Sequence, residues 1–407
     1  MTHDSISTST GSIGSIADVG RSAALHALKR LRFKHAPDAR NKWNNENTIQ
    51  SYSGSNLIRA IHHVDPETAT HLMEGGDFLP AFIIDDLFRE QWSMFCCRVN
   101  IEVGPETNGK KIRRFTPIPA PDQPNTEICN VDLCVIGKPN DIHGKKEHIN
   151  LLKTICFALE AVAYVKRETD GSSISSGRGR EQPVNSIPIT CILSRKKRIL
   201  PQKDVPIGPE HVNAGVTFLN SGRIIVYRNQ HVHKVLIHEL IHFCRLDADL
   251  QLSKAQEHVE SMLREELQYD SLASIGLRCY ESYVETLACF WNMYRAKDRA
   301  GTGTWKQERR LFFDVSRIIW EHQQPDRQEN THVLAYYHGK AALWDKLSDL
   351  PIWPTKIDGS NITFWATLYE ALRQRSPFWH EIQGLQAERT DHIQTTRNVH
   401  LSMTTFE

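Results

Sequence analysis

Long hydrophobic runs are missing from this sequence. No apolar stretch approaches the ~18–20 residues that a helical bilayer span requires. Charge of one sign is missing too. With 49 Lys and Arg against 48 Asp and Glu, the formal net charge is +1, which removes any global electrostatic case for nucleic acid or an anionic membrane surface. No two cysteines stand in a CxxC spacing, and their number, nine, is odd. Most lie in apolar segments such as "KTICFALEAV" and "PITCILS". They read as small reduced core residues, which excludes a cysteine-based zinc site and points to an intracellular protein. The opening "MTHDSISTSTGSIGSIADVG" has neither the basic start nor the apolar core of a secretion signal, and it is too acidic for a mitochondrial presequence.

What is present is an ordinary globular composition, 40% hydrophobic and 24% charged over 407 residues, enough for two or three domains. Residues 1–20 are rich in Ser, Thr and Gly and read as a disordered segment. "RSAALHALKRLRFKHA" reads as a solvated amphipathic helix, and residues 21–170 as a mainly helical region, helical in particular over 65–103. "VDLCVIG" interrupts it as a short strand, and "EHINLLKTICFALEAVAYVKRE" is a long helix with apolar positions at i, i+3, i+4 and i+7. The loop "TDGSSISSGRGREQPVNS" marks a boundary. Beyond it, "IPITCILS", "AGVTFL" and "GRIIVYR" are β-branched runs bounded by turn residues and read as strands. Helical periodicity then covers 231–246, 253–268, 276–296, 305–322, 331–347 and 362–383, and residues 385–407 read as a loose polar tail. The fold class is therefore α+β and mostly helical. The basic runs "GKKIRR" and "SRKKR" read as solvated loops, given the balanced charge.

One stretch stands apart. "KVLIHELIHFCRLD" sets His238, Glu239 and His242 in an apolar helix directly after a strand. Buried imidazoles and carboxylates are costly unless something pairs with them. Residues i and i+4 share a helix face, so His238 and His242 project together and can chelate one Zn²⁺. Glu239, at the rim of that face, is placed to take a proton from a water activated by the metal rather than to bind it. Zinc needs a third protein ligand. A histidine six residues beyond His242 would fall at Ala248, between Asp247 and Asp249, so the short-spacing option fails. The better source is "RCYESYVETLACFWNMY", which offers Glu281 and Glu285 one turn apart. One carboxylate can bind the metal while the other receives the far N–H of a ligand histidine. Glu281 is assigned to the metal and Glu285 to support; the reverse pairing is the alternative, and two solvated surface glutamates the plainer one. His231 and His233 are expected near the surface or behind the ligands.

"HELIH" followed by "ESYVE" resembles the gluzincin group of zinc metallopeptidases, defined by HExxH and a downstream helix carrying ExxxD or ExxxE. "NAGVTFLNSGRIIVYRNQHVHKVLIHELIH" is also similar to metallopeptidase-like proteins of large DNA viruses. The resemblance covers residues 210–295 at most. It implies a zincin-like catalytic domain over 185–384, made of a small sheet, the motif helix and a third-ligand helix. It implies Zn²⁺ on His238, His242 and Glu281, Glu239 as general base, and a peptide or protein substrate. A cytoplasmic setting, or a virion-associated one for a viral protein, fits the missing signal. In such folds the strand before the motif helix lines the cleft, a role for Gly222–Arg228, and an oxyanion donor is needed, for which Tyr336, Tyr337 and His338 are candidates. The chain departs from the strict pattern with Tyr280 before the third ligand and Glu285 after it. The competing expectation is a non-catalytic interaction protein that retains a structural zinc.

Overall fold

The computed structural model describes residues 62–63, 83, 92–103, 127–138, 145–170, 186–203, 205–219, 221–271, 277–296, 303–323, 327–346, 362–382 and 401–404. The amphipathic helix expected after residue 20 and the run "GKKIRR" lie outside them. The described chain is mixed α and β, with more helix than strand.

Six strands form one sheet: β1 (His62–His63), β2 (Ser93–Val103), β3 (Glu127–Gly137), β4 (Ile187–Ile192), β5 (Gly215–Phe218) and β6 (Arg223–Val226), in the order β1-β2-β3-β4-β6-β5. β2 corrects the helical expectation over 93–103; most of 65–92 lies outside the described residues. Its "SMFCCRVNIEV" pairs antiparallel with all eleven residues of β3, from Ser93↔Gly137 to Val103↔Glu127. A helical reading of isolated periodicity loses to a full ladder of cross-strand bonds. β3 and β4 run parallel, which requires a crossover, and helix α1 (Lys145–Asp170) supplies it. The sheet thus continues across the loop where the sequence changes character.

Alternation assigns the two faces. Val131, Leu133, Val135, Ile187, Ile189, Cys191, Ile224 and Val226 join one large core with α1 and the motif helix. Ile136, Ile192, Ile225 and Tyr227 face the other way, toward Ile83 and Trp92. α1 meets the sheet through Leu151, Ile155, Leu159 and Val162, spaced for one helical face and fully buried.

The end of the sheet differs from expectation in a way that matters for the site. β6 lies between β4 and β5, hydrogen-bonded on both sides, so the strand before the motif helix is interior. The edge is β5, folded back on β6 by a tight turn whose Gly222 adopts φ 64° and donates to the Phe218 carbonyl at 2.8 Å. Glycine takes that left-handed conformation without strain.

After the sheet come helix α2 (Val232–Phe243), which carries the motif, then α3 (Lys254–Leu267), α4 (Glu281–Arg295) and α5 (Gly303–His322). A π-helix over Leu334–Gly339 leads directly into α6 (Lys340–Lys346), and α7 (Ile362–Leu372) closes the layer. Residues 401–404, read from sequence as loose tail, are seated in the core, with Leu401 and Met403 0% and 2% exposed. Alternating apolar residues in an extended segment account for this. Among the described residues no helix is long and apolar enough to cross a membrane. The seven described cysteines are all free thiols.

Candidate metal centre

α2 is buried along its whole length, polar residues included. His231 starts it from a left-handed conformation, φ 59°. At its other end Arg245, also at φ 59°, turns the chain so that Asp247 swings back beneath His242. α4 begins at Glu281, just after Arg278 at φ 47° and a Cys279 amide that donates to Glu260 at 2.7 Å.

These two helix segments bring three donor atoms together. His238 Nε2 lies 3.0 Å from His242 Nε2 and 3.5 Å from Glu281 Oε2, and His242 Nε2 lies 3.3 Å from Glu281 Oε2. A tetrahedral zinc with bonds of ~2.0–2.2 Å spaces its ligands about 3.3 Å apart. The three atoms therefore outline one face of such a tetrahedron. They are the one group of His, Cys, Asp or Glu among the described residues arranged to hold a metal ion. Glu281 Oε2 is buried without a well-formed hydrogen-bond donor, as expected for an oxygen whose partner is a cation.

Each histidine has a carboxylate behind it. His242 Nδ1 lies 2.6 Å from Asp247 Oδ2, and His238 Nδ1 lies 3.3 Å from Glu285 Oε1. Glu285 also pairs with Lys234 Nζ, one turn before His238 on α2. A carboxylate on the far nitrogen fixes a ligand histidine's orientation and raises its basicity. Glu281 belongs to the group that could hold a metal ion and Glu285 lies against His238, and the solvated alternative fails, since both are buried, 4% and 3% exposed.

The electrostatics of the triad favour positive charge on His242 and negative charge on Glu281. Burial pushes the His242 imidazole down, but Glu281 and Asp247 overcome it and hold it well above its ordinary value. Against the upward push of burial, His242 and His238 hold Glu281 well below the carboxylate range. Burial lowers His238 to about 3.

Glu239 stands beside the triad without joining it. Thr217 of β5 donates to its Oε2 at 2.8 Å and also lies 3.0 Å from its backbone oxygen. Gly215 makes room for it: a Cβ there would stand 2.8 Å from Glu239 Oε1 and 2.7 Å from Val235 Cγ1. Burial pushes the Glu239 carboxyl up to about 7, opposed by His242 and by the Thr217 hydrogen bond.

Of the three oxyanion candidates, only Tyr336 reaches this side. Its ring lies 6.1 Å from that of His238 and 5.7 Å from that of His332. Burial, then Glu281, Glu239 and Glu285, hold its hydroxyl well above the ordinary phenol value, so it stays protonated. Tyr337 points into the apolar cluster of Ile207, Val212 and Val315. His338 bonds Ser316 at 2.5 Å and packs against Trp320 and Trp379. Successive helical residues rotate by ~100°, so three neighbours cannot share one site. The π-helix that carries them packs closely on α4: a Cβ at Gly339 would lie 2.0 Å from Ser282 Oγ. π-Turns of this kind cluster at functional sites.

The residues missed by sequence reasoning are Asp247 as the support of His242, Lys234, Thr217 and His332. Only Asp247 carried a signal, its position just past the motif helix. His231 and His233 are buried rather than superficial, and His233 Nδ1 meets Thr154 of α1 at 2.8 Å. In "SRKKR", residues 195–197 are exposed as expected, but Arg198 is buried against backbone carbonyls of Val212 and Gln230.

No protein-family model, curated protein or solved structure matches the chain.

Proposed function

We propose that the protein is a zinc-dependent peptidase of the gluzincin type, with His238, His242 and Glu281 as ligands in a zincin-like arrangement. The observation that carries this is the juxtaposition of the triad with Glu239, a buried carboxylate that binds no ligand atom and is held by a strand edge. The donor set of two imidazoles and one carboxylate suits zinc. When bound, zinc supplies a Lewis acid that lowers the pKa of a water and polarises a carbonyl.

The chain's own residues do the rest. Glu239, held near 7 by burial, accepts a proton from the attacking water and delivers it to the leaving amine. Thr217 fixes the oxygen of Glu239 that faces β5. Asp247 orients His242 through a hydrogen bond, and Glu285 lies within ion-pair distance of His238. Tyr336, kept protonated, donates a hydrogen bond to the oxyanion that develops at the scissile carbonyl. Among the described residues β5 is the last strand of the sheet, and its outer edge offers backbone groups to an extended peptide.

The second reading, an interaction protein with a structural zinc, is favoured only by the burial of the triad, 4–9% exposed. Structural zinc takes four protein ligands, whereas three converge here among the described residues. The deciding experiment compares wild type with Glu239→Gln on a broad peptide library. The variant should keep its metal and lose ~10²–10⁴-fold in turnover. Full activity in Glu239→Gln removes the mechanism; a metal-loaded wild type that cleaves nothing favours the structural reading.

A further inference from the structure

The segment Leu401–Thr404 is bound more closely than a passing strand requires. The Leu401 amide donates to the Arg198 carbonyl at 3.0 Å, and its own carbonyl accepts from Gln230 Nε2 at 3.3 Å. Ser402 Oγ and the Met403 amide both meet His231 Nε2, at 3.2 and 3.4 Å. The Met403 carbonyl accepts from Lys340 Nζ at 3.3 Å and from Cys289 Sγ at 3.5 Å. Thr404 Oγ1 donates to the buried Glu308 at 2.7 Å.

Two of these partners belong to the helices that carry the metal triad. His231 is the residue from which α2 starts, and Cys289 lies one turn beyond Glu285 on α4. A single residue, Met403, therefore bonds both helices, one through its N–H and the other through its C=O. The tie to α2 runs on into the site. The His231 carbonyl accepts from the Val235 amide at 3.0 Å in the turn that holds Lys234, Lys234 pairs with Glu285, and Glu285 lies against His238. The tie to His231 needs a neutral imidazole whose Nε2 accepts. Burial, with Arg198 and Lys234 nearby, keeps it so.

We infer that Leu401–Thr404 is a positioning segment of the metal centre: by bonding His231 and Cys289 it holds α2 and α4 at the spacing their three ligand atoms require, so metal affinity depends on its being seated. This rests on the reading of the triad as a metal site, but not on peptide hydrolysis. Besides their apolar faces, α2 and α4 are tied at one residue, Glu285, about which they keep some freedom to shift, and a metal site tolerates little of that. A backbone segment hydrogen-bonded to both removes the freedom.

Linkage gives a test that needs no mutant. A segment that raises metal affinity must itself be held more tightly when metal is bound. Hydrogen exchange of the full chain, followed on a peptide containing residues 401–404, should slow when zinc is added. Met403→Asp, which unseats the segment, should weaken Co²⁺ binding by roughly tenfold or more and alter its visible ligand-field spectrum, while Met403→Leu restores both. The inference is overturned if zinc binds the wild type yet leaves exchange at 401–404 unchanged, or if Met403→Asp binds Co²⁺ with wild-type affinity and spectrum. A wild-type chain that takes up neither metal removes the metal reading itself, and this inference with it.

Discussion

The two ends of the motif helix support their histidines in different ways. At the end of α2, His242 is held by Asp247, five residues on, and Asp247 is held in turn by Gln251, four residues further. Everything is local. At the start, His238 depends on Glu285 from another helix, Glu285 on Lys234, and the helix origin at His231 on residues 402 and 403. The local support is organised by one turn of chain and survives small shifts of the fold. The distant support exists only when α2, α4 and the segment 401–404 are all in place. The site thus reports on the integrity of the fold at one histidine and is nearly autonomous at the other.

The sharpest way to break this contrast is to remove the two supporting carboxylates in turn. Glu285→Ala leaves Lys234, 1% exposed, buried without its partner, and breaking a buried pair in that way costs about 3–5 kcal/mol. Urea denaturation should show that loss, and Lys234→Met combined with Glu285→Leu should recover most of it. Equal stability of Glu285→Ala and wild type would show that the start of the helix is not held as described. Asp247→Asn is the milder change. It keeps shape and one acceptor, so folding should be nearly unaffected, while zinc affinity measured by chelator competition should fall ~10–100-fold. A large loss of stability there would erase the distinction between the two ends.

What could be read from sequence follows a different line. Patterns within one helix were legible: HExxH on an apolar helix and Glu281 and Glu285 one turn apart follow from periodicity, whereas Asp247, just past the helix end, was missed as the support of His242. Contacts that depend on topology were not legible. β5 rather than β6 forms the edge because of a four-residue hairpin strand that alternation cannot rank. Thr217 reaches Glu239 only because of that pairing. Tyr336 could not be separated from Tyr337 and His338, because a π-turn shifts the angular register of all three. Segment 401–404 looked like polar tail because most of its anchoring bonds go through its backbone, and those carry no residue signature.

A smaller effect should appear with pH, again at the start of α2. Burial lowers His233 to about 3 and His231 to about 2, each below the ordinary 6.5. The unfolded chain therefore binds more protons than the folded one below pH 6.5. The stability these residues permit is complete above 6.5 and falls as pH drops toward 3, by ~1.4 kcal/mol per pH unit for each group. His233→Gln should flatten that acid slope in melts run from pH 7 to 4. An unchanged slope would mean that His233 is not buried neutral against Thr154.

Metal content tests directly whether the three donor atoms of His238, His242 and Glu281 form a metal site. Wild-type protein purified without chelator, exchanged into zinc and freed of excess, should carry one zinc per chain by elemental analysis. His238→Ala should carry none, because two ligands remain and no other described His, Cys, Asp or Glu is placed to join them. A wild type without metal, or a His238→Ala variant that keeps its zinc, would contradict the metal site.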